Sequence, residues 1–189
     1  GLIRGYTGFA GALLLLPGFV FIMGPLPALN VVVISGMIGQ LLILPNAVKN
    51  AQKAIVLYYG IGIFVGVYMG LYFLFQREIP DITFFMGIFI IIATLILLSG
   101  WKYKGKSSPV ISTSIGGGIG FFAGFFGVPT GPLTGLFFLS KNDPTKIIYA
   151  NIQCTVILTV CAFFSYFFFI EGYEHDYLLL GIFMSIPLA

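Results

Sequence analysis

The stretch Gly120-Phe-Phe-Ala-Gly124-Phe-Phe-Gly127-Val-Pro-Thr-Gly131-Pro132 lies inside an uncharged run, residues 107–140. One helix across a bilayer needs about 20 apolar residues, so this run is too long for a single crossing. Pro129 and Pro132 lack the amide hydrogen and clash with the preceding helical turn, while the neighbouring glycines accept backbone shapes closed to other residues. The spacing predicts a helix over 110–124, a break through 127–132, and a second helix running to 139.

A related stretch opens the chain: Gly1-Leu-Ile-Arg-Gly5-Tyr-Thr-Gly8-Phe-Ala-Gly11. Gly1, Gly5 and Gly8 fall on Gly120, Gly124 and Gly127 at one constant offset, and Pro27 falls near Pro144. The sequence thus divides into two repeats, 1–109 and 110–189. Interrupted helices in matching places of two halves are a sequence-level pointer to a transporter substrate site, provided the chain is a membrane protein.

Composition says that it is. Hydrophobic residues make up 59% of the chain and charged residues 8%, with a mean hydropathy of +1.07. Soluble domains carry roughly 25% charged residues. Residues 54–75, 82–100 and 147–170 contain no charge, and each is about as long as a transmembrane helix. Apolar runs recur to the last residue, which excludes a cleaved leader as their explanation. The expected fold is an all-α polytopic membrane protein. Each repeat is a broken or re-entrant helical hairpin plus about three transmembrane helices, with the second repeat truncated. No Met opens the chain and it stops within an apolar run, so the chain reads as a fragment of a protein roughly one quarter longer.

Further boundaries follow from the breakers. The first hairpin, 1–24, is expected to break around Pro17-Gly18 and close at Gly24-Pro25. The next span should end at Pro45-Asn46. The stripe Gly62, Gly66, Gly70 in the span 54–75 has the spacing of close helix packing in lipid. Trp101, Tyr103, Lys102, Lys104 and Lys106 read as an interfacial belt and a cytoplasmic loop.

The positive-inside rule chooses between two topologies. If each glycine-proline hairpin crosses once, Arg4, Lys49, Lys53, Lys102, Lys104 and Lys106 face Arg77, Lys141 and Lys146, six against three. If each hairpin is re-entrant, Arg4 leaves the majority, Lys141 and Lys146 join it, and the split is seven against two, Arg4 and Arg77 being the minority. The second split is the sharper. It also makes the two repeats inverted, with their tips able to meet inside the membrane. Non-helical backbone at that depth must be buried in protein or line a watery cavity.

The chemistry available there is that of bare amides. The start of a helix after a break offers unpaired N–H groups and a positive dipole end, which bind anions without a buried cation. The candidate substrate-binding residues are Thr7, Gly8 and Gly11 in the first repeat. In the second they are Gly127, Pro129, Thr130, Gly131, Asn151 and Gln153. The last two are amides well inside an uncharged run, each either helix glue or pocket lining. Arg4 reads either as a lure for anions or as a snorkelling helix-end arginine.

Other functions find little support. The acids Glu78, Asp81, Asp143, Glu171, Glu174 and Asp176 are confined to loops, so no catalytic constellation forms at membrane depth and no enzyme is expected. His175 has no partner at metal-ligand spacing, and neither metal nor cofactor is implied. The lysines sit in short loops rather than along one face, which argues against nucleic acid. Cys154 and Cys161, seven residues apart on one helix, are about 10.5 Å apart along its axis and cannot form a disulfide. They read as small buried hydrophobes.

These residues resemble the TauE/SafE family of membrane permeases, also called sulfite exporters or toluene-sulfonate uptake permeases. The family motif has the form G-x-x-x-G-x-x-G-[VI]-x-G-[GP]. Gly120 to Pro132 resembles it closely, with Gly127-Val-Pro-Thr-Gly131-Pro132 in place of a glycine-richer version, and Asp143-Pro-Thr-Lys146 also fits. The first copy departs from it, since Gly8-Phe-Ala-Gly11-Ala lacks the glycine doublet. The resemblance implies a secondary transporter of small anions, such as sulfite, sulfonates or related organic acids. It would be multi-pass in the cytoplasmic membrane of a bacterium, with the lipid bilayer and a small anionic solute as partners and a homo-oligomer left open. A non-transporting membrane scaffold or assembly subunit is the alternative.

Overall fold

The computed structural model describes residues 11–76, 82–99, 108–127, 130–141 and 143–171, and these are helical throughout apart from short connections. Among the described residues seven α-helices follow in chain order: α1 (Gly11–Met23), α2 (Pro25–Asn50), α3 (Lys53–Gln76), α4 (Ile82–Leu98), α5 (Pro109–Phe126), α6 (Gly131–Leu139) and α7 (Thr145–Tyr166). A π-helical turn, Phe167–Glu171, prolongs α7. The expectations for Arg4, Arg77, the belt at 101–106, His175 and the last partial span lie outside the described residues.

Among the described residues, three stretches are long and apolar enough to cross a membrane: Lys53–Gln76, Pro109–Phe126 and Thr145–Ile170. A fourth is the bent pair Pro27–Leu41 and Ile43–Asn50, which meet at 65°. α4 is shorter, at 17 residues, and presents Phe84, Ile91 and Leu95 outward.

Proline acts differently from the sequence expectation in both α1 and α2. α1 does not break at Pro17-Gly18 but runs unbroken from Gly11 to Met23. The break comes at Gly24, whose φ of 87° and ψ of 169° belong to glycine alone. Nor does α2 stop at Pro45. It continues to Asn50 and absorbs the proline as the 65° bend. A proline ring inside a helix displaces the carbonyl four residues earlier, which for Pro45 is Leu41, where the straight part of α2 ends.

α3 and α5 pack along a double row of glycines. Gly62, Gly66 and Gly70 of α3 face Gly117, Phe121 and Phe125 of α5, while Gly116, Gly120 and Gly124 of α5 face Tyr59, Ile63 and Val67. A Cβ built at Gly66 would run into the carbonyl oxygen of Gly117, and one at Gly116 into that of Tyr59. The hydroxyl of Thr113 also donates across the seam to the Tyr58 carbonyl at 3.0 Å. Small residues let backbones approach where no hydrophobic effect drives helices together. The glycine stripe of α3 is therefore packing, as its spacing suggested. Gly120 and Gly124 belong to the same seam.

The register of these contacts fixes directions. Both α3 and α5 leave from the same end, since Tyr59 meets Gly116 and Val67 meets Gly124. α7 leaves from that end too: its Leu158 lies against Gly60, and its Ser165 accepts from Tyr68 at 2.8 Å. α2 runs the opposite way, with Gly36 beside Val160 and Ala47 clustered with Cys154. The cysteines are free, as their spacing required.

Candidate functional site

The loop between α2 and α3 is tied to the foot of α7. The Gln52 amide N–H donates to Asn151 Oδ1 at 2.8 Å, and Asn151 Nδ2 donates back to Gln52 Oε1 at 3.1 Å. Gln52 Nε2 also donates to Asp143 Oδ2 at 3.2 Å. Asn151 is fully buried. Its amide thus spends both ends on a loop at the bundle's polar end, and it acts as glue there rather than lining the helix break.

The same tie brings the Lys49–Lys53 loop and the Lys141–Lys146 loop to one end of the bundle. α5 starts from this end beside α3, and α6 finishes at it. The α5–α6 hairpin therefore leaves and returns on one side.

The break itself lies deep. α5 ends at Gly127, left-handed at φ 62° and ψ 23°, with its N–H bonded to the Ala123 carbonyl. α6 starts at Gly131, and Pro132 in its first turn carries no donor. Thr130 is 2% exposed, and its hydroxyl lies 3.0 Å from that of Thr159 on α7. Thr159 is eight residues beyond Asn151, about 12 Å further along the helix axis. Hydrocarbon is about 30 Å thick, so the break stands nearer its middle than its edge.

The hydroxyls form an ordered chain. Thr159 donates to the Thr155 carbonyl at 2.9 Å, which uses its one proton. Thr130 must then be the donor to Thr159. Its hydroxyl offers a ligand lone pairs, not a proton, until that bond is broken. One turn down α6, Tyr59 donates to Thr134 at 3.2 Å, both side chains being fully buried. The Thr134 N–H is committed to the Thr130 carbonyl at 2.9 Å.

Gly127 faces α2 and α4. A side chain there would press on Met86 Cε at 3.0 Å and Leu29 Cδ1 at 3.2 Å. Next to Leu29 is Asn30, whose buried Oδ1 has no hydrogen-bond partner. An acceptor shielded from water without a partner is costly. Asn30 is an amide within a span, as Asn151 and Gln153 are, but its sequence position carries no link to Gly127. The approach of Gly127 to Leu29, across the whole chain, is invisible in the sequence. Thr159 was missed for the same reason.

The structure therefore brings Gly127, Thr130 and Gly131 together with Thr159 and leaves Asn151 at the polar end. Gln153 is buried on α7, 2% exposed. Gly11 is the first residue of α1 among the described residues. Thr7, Gly8 and Pro129 lie outside the described residues. Among the described residues no group of three metal-ligating side chains forms.

The family model described as sulfite exporter TauE/SafE matches residues 1–189. No curated protein and no solved structure matches the chain.

Proposed function

The chain belongs to the sulfite exporter TauE/SafE family, and from that premise we propose that it is a secondary permease for small oxyanions, its substrate passing the α5–α6 break. Membership implies a multi-pass membrane transporter of the sulfite or sulfonate type. The observation that carries the finer reading is the buried break between Gly127 and Gly131, held to α7 by the Thr130–Thr159 bond. Interrupted helices at membrane depth occur where they serve a site.

The proposed site comprises Gly127, Thr130, Gly131 and Thr159, with Pro129 included on its sequence position alone and Gln153 and Asn30 as further candidates. Thr7, Gly8 and Gly11 would supply the matching half. The start of α6 contributes its dipole and the Gly131 amide to an anion. Asn151 and Gln52 hold the polar end. Two features support an inverted repeat. α2 and α7, corresponding spans of the two halves, run antiparallel, and the α5–α6 hairpin returns to its own side.

The test is flux of sulfite, sulfoacetate and a carboxylate control in vesicles containing the full-length protein. Gly127→Val and Gly131→Val should insert normally yet lose sulfite flux by at least about tenfold: Gly127 is left-handed, a shape that strains a branched residue by more than about 1 kcal/mol, and Gly131 opens α6, where a side chain would crowd an approaching anion. Normal flux in both variants would reject the site.

A further inference from the structure

We propose that Lys141 is an oxyanion-binding residue at the mouth of the α5–α6 hairpin, a station between the Lys-rich end of the bundle and the break. This rests on the permease reading and adds to it a second, charged stop for the same solute.

A lysine at a helix end in a membrane protein normally stretches its ammonium into water. Lys141 does the reverse. Its Nζ is shielded from solvent and makes no hydrogen bond. It lies 4.6 Å from the ring centre of Phe137 and 5.4 Å from that of Phe138, side chains 2% and 0% exposed. Those rings pack on Tyr59 at 5.1 and 5.4 Å, and Tyr59 holds Thr134. The ammonium is therefore folded inward, toward the part of α6 that leads through Thr134 to Thr130.

Its ordinary partners are elsewhere. The carbonyls of the last turn of α6, which a lysine side chain can cap, receive nothing from Nζ; only the Lys141 backbone N–H reaches one, that of Phe138, at 3.2 Å. Asp143 attracts it through space but gives Oδ2 to Gln52. Burial pulls the ammonium below the usual lysine range, and Asp143 opposes that pull. Ring faces compensate a buried ammonium only in part, and its N–H protons remain unspent. A small oxyanion meeting the mouth would take them. A phospholipid phosphate has the same chemistry, but Phe137 and Phe138 lie inside the bundle rather than on its lipid face.

The experiment is calorimetric titration of sulfite into full-length protein in detergent, repeated with phosphatidylglycerol added, alongside flux in vesicles. Lys141→Gln should weaken sulfite binding about tenfold and Lys141→Arg by less than about threefold, as expected for loss or retention of a charged hydrogen bond. If Lys141→Gln melts far below the wild type, Lys141→Met, which still covers the two rings, takes its place with the same expectation. An unchanged Kd in the neutral variant overturns the proposal. So does equal weakening by Arg and Gln, which would mark a packing role. Loss of sulfite binding on adding phosphatidylglycerol to the wild type alone assigns the site to lipid and overturns it as well. Lys141-dependent binding without wild-type flux leaves this station standing and sinks the permease reading; flux with a Lys141-independent Kd does the opposite.

Discussion

Gly66 and Gly118 are both helical glycines in the paired helices α3 and α5, yet the same substitution should act oppositely on them. Gly66 meets the backbone of α5, and a methyl group there collides with the Gly117 carbonyl. Backbone cannot swing aside, so Gly66→Ala should destabilise the protein by about 1–3 kcal/mol, the usual range for overpacking. Gly118 has nothing within 4 Å of its would-be Cβ. Gly118→Ala should leave the melting temperature in detergent unchanged or raise it, since alanine favours helix by about 1 kcal/mol over glycine. Similar melting of the two variants would contradict the seam. Thr130 and Thr159 allow a second test at this scale. A double-mutant cycle with valine at each should give a coupling of about 0.6–1.7 kcal/mol, the range found for hydrogen bonds between membrane helices. A coupling near zero would mean the break is not held to α7.

At the scale of elements, the polar end is the part most open to a direct check. Gln52 joins the α2–α3 loop to Asp143 and Asn151 by three hydrogen bonds. Cysteines placed at Gln52 and Asp143 should be joined by a short bifunctional maleimide within one monomer, seen as a mobility shift on denaturing gels after cleavage between the two sites. No linkage would place the two loops at different ends. The sequence made the α5–α6 break legible because glycine and proline carry their geometry locally: Gly127 can turn left-handed, and Pro132 lacks a donor. It misplaced the break of the first hairpin and the end of the span after it because Pro17 and Pro45 each sit in a helix that tolerates or bends at them, a response set by neighbouring helices rather than by the proline. Asn151 shows the same limit. Its depth in an uncharged run could be read, but its partner, Gln52, lies in the other repeat. The seam is half legible in the sequence, as one stripe of glycines whose facing stripe on α5 looks only like the approach to the break.

For the whole molecule, the decisive quantity is which way the lysine-rich end faces. Lys49 and Lys53 adjoin Gln52, Lys141 and Lys146 flank Asp143, and one hydrogen bond closes the two groups together. If the α5–α6 hairpin crossed the membrane once, these groups would lie about 30 Å apart on opposite surfaces. Their proximity agrees with the seven-against-two distribution of positive residues. Positive loops are retained in the cytoplasm, so Lys49→Cys and Lys146→Cys should both react with an impermeant maleimide in inside-out vesicles and both be spared in intact spheroplasts. Both variants remove only exposed lysines, so each should retain wild-type expression and flux. Labelling of one from each side would split the polar end, reject the hairpin's return, and with it the inverted arrangement that lets two breaks face each other. Labelling of both from the outside would keep the architecture and reverse its orientation, placing the Lys141 mouth toward the periplasm.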